Sequence, residues 1–355
     1  MTRLIMGDGE IIVRNRFTDL LAPDQENDFL KLWLDMYFEI EVTTKKSSQE
    51  VQARDLNLLI AFLIDATGSD YRLNWTPRES AEFKNYLQSV INEKTGKRRW
   101  SDRTINRIIA HVKTFAKWIN KIAPFPLGNP MEKIKALPVG NTLEIERAIT
   151  PPERRKILDA ADLLLTHGGL SKDRLRFKDI KTRPVRKGYR PYRNRAIIYT
   201  LIESGMRRNA VTTISIDDID IDLKTVKVVE KGGGQRTCNI STEGINAIRD
   251  YIINERDLDT DHWQSQALFL AAKTTKKSSG RLKAWTINYI WSEVCKSLNI
   301  KKSPHSARHA MGNYIMKKTG NLAAVQRQLG HRNPASSMQY ARITNKELNN
   351  LLDER

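Results

Sequence analysis

Apolar residues recur at helical spacing through most of this chain. Residues 26–41 and 49–66 each read as an amphipathic helix; Leu30, Leu32, Trp33 and Met36 mark the first, and Leu56, Leu59, Ile60 and Leu63 the second. Pro77 opens a third helix reaching about Glu93, since proline in a first turn gives up an N–H that has no helical partner there. The sharpest pattern follows Ser101 or Asp102 as N-cap. Ile105, Ile108, Ile109, Val112, Phe115, Ala116 and Ile119 form one continuous apolar face. Arg103, Arg107, Lys113, Lys117 and Lys121 take most of the remaining circumference, which suits either solvent or a nucleic-acid backbone. The basic run 94–99 (KTGKRR) leads into this helix and favours the second use.

Pro124, Pro126, Gly128 and Pro130 then break the pattern, and Pro138 and Gly140 lie in a linker-like stretch. The spacing predicts an N-terminal extension at 1–25, a helical domain at 26–138, a linker at 139–149, a second domain at 150–345 and a tail at 346–355. The second domain starts at Thr150-Pro151-Pro152-Glu153, a cap followed by proline and an acidic residue. Ile157, Ala160, Ala161 and Leu164 continue it at helical spacing. Residues 171–194 contain ten Lys/Arg together with Pro and Gly, and read as too polar for a core. This stretch fits a surface loop or an arm lying along phosphates through Arg183, Arg186, Lys187 and Arg190.

A buried helix is expected at 196–204, ending at Gly205. Three β-like pieces follow at 213–216, 225–229 and 236–240, with a triple glycine at 232–234 as a hairpin turn. Helical patterns resume at 243–254, 285–298, 306–318, 321–329 and 345–353. The expected fold is mainly α with a small antiparallel β-sheet: an all-α unit, then a mostly helical unit carrying the sheet.

Composition narrows the class of partner. The 355 residues carry a formal net charge of +19. Residues 1–50 hold 6 basic and 10 acidic residues, whereas 151–200 hold 14 basic and 5 acidic. A positive field confined to particular segments points to a binding surface for a polyanion, most simply nucleic acid. The acidic first 50 residues point instead to an accessory protein. No apolar run is long enough to span a bilayer, and the first residues lack the apolar stretch of a signal peptide. Cys238 and Cys295 are too few for a disulfide framework or a cysteine zinc site. A cytoplasmic protein with no membrane contact is expected.

The candidate chemistry lies near the C-terminus. His305 and His309 stand four apart, but Ser306 replaces the glutamate a zinc-protease helix needs, and Arg308 would set a fixed cation beside a metal. Of the two, His309 fits better as a buried, hydrogen-bonded histidine at a helix start. Phosphate chemistry suits the same residues. Arginine stays charged and binds two phosphate oxygens at once, and histidine moves protons near neutral pH.

His305-x-x-Arg308-His309, then Leu329-Gly330-His331, then Tyr340 nine residues later resembles the second conserved block of the tyrosine recombinase (phage integrase) family. Ser204-Gly205-Met206-Arg207 resembles its first block, and Val229-Glu230-Lys231-Gly232 its β-hairpin lysine. All six expected residues stand in family order: Arg207, Lys231, His305, Arg308, His331 and Tyr340. The resemblance covers about residues 150 to 345, and the first 140 are similar to the family's helical core-binding domain without a sharp motif. It implies a two-domain DNA clamp, with a helical core-binding domain and an α+β catalytic domain. It implies DNA strand exchange through a 3′-phosphotyrosyl intermediate. Tyr340 would attack, His305 would accept its proton, Arg207 and Arg308 would hold the non-bridging oxygens, His331 would donate a hydrogen bond, and Lys231 would protonate the leaving 5′ oxygen. No cofactor is implied, since the covalent link conserves the bond energy. Double-stranded DNA and a synaptic tetramer are the implied partners, in the cytoplasm at the nucleoid. Leu348, Leu351 and Leu352 would dock the tail helix on a neighbouring protomer.

Three departures stand out. Ala210 replaces the acidic residue usual three positions after the first arginine, Ala307 replaces the usual leucine, and the 171–194 loop is long and basic. Arg208 beside Arg207, and Lys227 beside Lys231, leave each of those assignments an alternative. A type IB topoisomerase-like enzyme and a catalytically silent DNA-binding protein are the competing readings.

Overall fold

The computed structural model describes residues 4–7, 10–13, 27–42, 46–139, 148–170, 184–229, 233–275, 278–331, 333–341 and 353. The chain divides into two compact units, Met1–Asn141 and Thr142–Arg355. The architecture is mainly helical with small antiparallel sheets, and no described helix is long and apolar enough to cross a membrane.

In the first unit, helices Leu30–Ile40, Lys46–Thr67, Pro77–Ser89 and Asp102–Ile122 surround one apolar core. Thr76 and Glu79 close a capping box in front of Pro77, so that helix starts where its sequence directs. Ser101 Oγ accepts from Thr104 N–H and fixes the start of the longest basic helix. The seven apolar residues expected on that helix are the ones buried, each at 2 % exposure or less. Two hairpins depart from the all-α expectation. Leu4–Gly7 pairs with Glu10–Val13, and Ile91–Asn92 pairs with Lys97–Arg98. The third helix therefore stops at Ser89 rather than near Glu93, and Gly96, at φ +62°, turns the basic run back as a strand.

In the second unit, helix Pro191–Ser204 runs through the core, and most of its residues are buried on every side. It begins five residues earlier than its apolar run. A three-stranded antiparallel sheet orders Ile219–Asp220, Thr225–Val229 and Gln235–Asn239, with Val226 opposite Cys238. Val226 and Val228 face inward while Lys227 and Val229 face out, as strand alternation requires. The stretch 213–216 is not a strand. Helix Arg208–Thr213 takes its start, and Ser215 with Asp218 forms a capping box that nucleates a short 3-10 turn. Helices Pro151–Asp162, Thr242–Tyr251, Asp257–Trp263, Ala284–Ser297, Pro304–Thr319 and Leu322–Leu329 also belong to this unit. The tail at 346–355 lies outside the described residues apart from Asp353.

The basic loop needs a correction. Residues 171–183, including Arg183, lie outside the described residues. Arg190, Arg193 and Asn194, expected in a polar arm, are buried. Arg190 grips both Asp259 carboxylate oxygens at 2.7 Å, and Arg193 donates to Leu270 O at 2.8 Å. A buried cation is tolerable only with such partners, and these bonds fasten the start of the central helix to helix Asp257–Trp263 and to the bridge at Leu270.

Candidate active site

Helix Pro191–Ser204 ends at Gly205, whose backbone is left-handed at φ +66°. A Cβ there would stand 2.9 Å from the Met311 side chain and 3.0 Å from Leu329. Glycine thus serves both the turn and the close approach of two other helices. Beyond the turn, Met206 is buried, Arg207 half-buried and Arg208 exposed. Arg207 is the N-cap residue of helix Arg208–Thr213 and has extended backbone. Of the adjacent pair, Arg207 is the arginine set at the edge of the core.

Arg308 is 1 % exposed on helix Pro304–Thr319. One arm of its guanidinium donates to Gly205 O at 2.9 Å, and the other donates to Leu329 O. Both acceptors are helix-end carbonyls that lack a helical partner of their own. One buried cation therefore fastens the turn before Arg207 to the turn before His331. Gly330, at φ +66°, caps helix Leu322–Leu329. A Cβ on it would fall 2.1 Å from Arg236 Nε, so Arg236 lies directly across this turn and donates from Nη1 to Gln328 O at 2.9 Å. His331 is buried, and its Nδ1 lies 2.7 Å from Ser337 Oγ.

Tyr340 sits on the short 3-10 turn Gln339–Ala341 and is 5 % exposed, packed with Val325 and Leu329. Its ring is parallel to that of His331, centroids 6.1 Å apart and planes within 5°. Gly312 also lies against the ring, and a Cβ on it would approach the ring to 2.7 Å. The phenolic oxygen lies 3.1 Å from His309 Nδ1. His305 is exposed, and its ring meets that of His309 edge to face at 4.4 Å. Among the described residues, no group of three or more His, Cys, Asp or Glu comes together as a metal-binding set. A cleft of about 570 Å³ opens beside His331, lined by Arg236, Thr237, Asn239, Arg327 and Gly330 among others.

The tertiary structure thus brings Tyr340, His331, His309 and His305 into one ring cluster, with Arg308 tying the turns that carry Arg207 and His331. Lys231 lies outside the described residues, and Lys227 is exposed on its strand. In the other unit Arg103, Lys117 and Lys121 are exposed and Lys113 is half-buried. Arg107 departs from the open basic face, because its Nε and Nη2 clasp buried Asp55 at 3.0 Å. Arg186 and Lys187 are exposed, Arg186 folding back to donate to Gly169 O at 3.2 Å. Sequence reasoning missed the contacts of His309, Gly312 and Ser337. Helical spacing places residues 305, 308, 309 and 312 on neighbouring positions of one face, which was the available signal for Gly312. Ser337 had no local signal.

A buried tyrosine thus stands beside histidines, with an arginine bridging two helix-end turns. Residues 180–347 match the model of the phage integrase family. The chain is similar to tyrosine recombinase XerS of Streptococcus equi subsp. zooepidemicus, 24% identical over 74% of each chain. It is similar to XerS of Streptococcus thermophilus, 24% identical over 79% of each. Its fold is shared with XerH site-specific recombinase bound to its difH substrate, at TM-score 0.65 and 17% identity, covering 86% of this chain and 79% of that one. It is also shared with the Tn1549 transposon integrase in complex with a circular intermediate DNA, at TM-score 0.63 and 16% identity, covering 92% and 99%.

Proposed function

We propose that this protein cuts and rejoins double-stranded DNA at specific sites through a covalent 3′-phosphotyrosyl intermediate, with Tyr340 as nucleophile. The observation that carries this reading is the surroundings of Tyr340: the hydroxyl on one imidazole, the ring stacked on another, and the helix of buried Arg308 beside it. As the Tyr340 oxygen bonds to phosphorus, the bond to the 5′ oxygen breaks. The phenolic proton passes to the histidine cluster, and Lys231 supplies a proton to the leaving oxygen. Arg207 and Arg308 neutralise the non-bridging oxygens as negative charge concentrates on the pentacoordinate phosphorus. His331, its Nδ1 side engaged by Ser337, turns its Nε2 edge to the phosphate. The phosphotyrosyl bond conserves the energy of the cleaved one, so rejoining needs neither ATP nor a metal.

The wider interface follows from charge. Arg103, Lys113, Lys117 and Lys121, with Arg183, Arg186 and Lys187, hold the flanking duplex at the nucleoid. Four protomers act on two sites, the tail helix of each docking on the next. XerH and the Tn1549 integrase, which share the fold and whose structures contain DNA, support duplex DNA as the partner.

The test is covalent capture on a duplex nicked just beyond the cleavage point. Wild type is expected to form an adduct, and Tyr340→Phe to bind the same duplex and form none. An adduct persisting in that variant would overturn the nucleophile assignment. Relaxation of supercoiled DNA without exchange between two sites would instead favour a topoisomerase.

A further inference from the structure

We propose that His309 is a catalytic residue of this site: its Nδ1 takes the phenolic proton as Tyr340 attacks. The inference rests on Tyr340 being the nucleophile. Three observations carry it. The His309 Nδ1 to Tyr340 oxygen distance is 3.1 Å, within the reach a general base needs. The pair is sealed from water, His309 at 3% and Tyr340 at 5% exposure. A phenol holds its proton more tightly away from water, so the acceptor has to stand at the oxygen itself. Finally, the ring is held in place on two sides. His331 lies parallel to it, and Gly312 leaves the space that a side chain would fill.

The alignment of motif residues points to His305, yet His305 is exposed and its ring meets His309 edge to face. It stands on the solvent side of His309, where it can pass a proton outward. Among the described residues, the groups around the Tyr340–His309 pair include His305 and Arg308 on the same helix, and His331 from the turn after Leu322–Leu329. The step balances. The Tyr340 oxygen bonds to phosphorus, the phosphorus to 5′-oxygen bond breaks, His309 gains the phenolic proton, and the leaving oxygen gains one from Lys231. On rejoining, the 5′-hydroxyl attacks phosphorus and His309 returns its proton to Tyr340.

The experiment uses the full chain and a suicide duplex selected by wild-type covalent capture from a library with a randomised core. A second version carries sulfur at the 5′ bridging position, whose departure needs no proton. His309→Gln keeps a hydrogen-bond acceptor of similar size but is not a useful base. It is expected to bind the duplex as wild type does, and to form adduct about 10²- to 10⁴-fold more slowly, with the pH inflection of the wild type flattened. The deficit should persist on the sulfur duplex, whereas that of Lys231→Ala should vanish there. His305→Gln should keep the inflection. His309→Asn, whose amide overlies the Nδ1 side of the ring, is the second variant should the glutamine fail to fold. Wild-type rate and pH profile in a folded His309 variant, or recovery on the sulfur duplex, would sink the role of His309 while leaving Tyr340 as nucleophile. Failure of wild type to form any adduct would sink both.

Discussion

In the first unit the described side chains that are buried are nearly all those that helical spacing marks as apolar; Asp55, Arg72 and Ser80 are the polar exceptions. In the second unit Arg190, Arg193, Glu203, Glu255, Arg256, Asp259, Arg308, His309 and His331 are all buried. The first core is held by removal of apolar surface from water, which needs no particular partner. The second is held partly by cations that would be untenable alone, each fixed by a carboxylate or by backbone carbonyls. The contrast suits the tasks proposed for them. A surface that presents lysines to a duplex needs only a rigid helix behind it. A site that must hold a phosphate needs arginines whose positions are fixed before the substrate arrives, and burial against carbonyl oxygens does that.

The contrast can be tested by damaging each core in its own way. Asp259→Ala in the second unit strands the Arg190 guanidinium and is expected to cost about 3–5 kcal/mol. Phe115→Ala in the first leaves a cavity and costs a similar ~3–5 kcal/mol. Chemical denaturation checks both, and the double change Arg190→Met with Asp259→Leu separates them. It should recover most of the first loss, whereas nothing polar can repair the second. Arg308→Lys keeps a charge but loses the fork that reaches Gly205 and Leu329 together. Cleavage should fall about 10²- to 10³-fold with far less change in DNA affinity, measured by adduct rate against equilibrium binding. Equal losses in both would reduce Arg308 to an ordinary phosphate contact.

Alkaline pH should also act on the second unit. Burial, and for Tyr199 the Asp162 carboxylate it bonds, push Tyr199 and Tyr251 from 10.0 up to about 12. The fold therefore favours the neutral phenols. Their contribution is complete below pH 10 and is lost as pH rises from 10 to about 12. Unfolding followed across that range should show the decline, and Tyr251→Phe should flatten it. The smallest effect belongs to the open basic face. Lys117→Ala should leave stability within about 0.5 kcal/mol and reduce the salt dependence of DNA binding by about 0.9 in slope. An unchanged slope would remove that helix from the duplex interface.

What was legible in the sequence follows the same division. The buried face of helix Asp102–Ile122 could be read residue by residue, because apolar spacing and burial coincide there. Ser101, Thr76 and Thr150 as caps were legible too, since a capping side chain bonds within its own first turn. The hairpin at Ile91–Asn92 and Lys97–Arg98 was not, because a two-residue exposed strand has no apolar alternation to read. Arg190 was assigned to a polar arm because its partner, Asp259, lies 69 residues away.

The sequence by itself determined the order and type of the groups on which the resemblance to the phage integrase family rests: an arginine after a glycine turn, a histidine-arginine helix start, a glycine-histidine turn and a tyrosine. Those signals are local, and motif spacing preserves them. Only the tertiary structure decided which imidazole meets the tyrosine, that Gly312 leaves room for its ring, and that Arg308 is shared between two helix ends. Each of these depends on contacts between elements distant in sequence, where distance and burial, not spacing along the chain, select the partner.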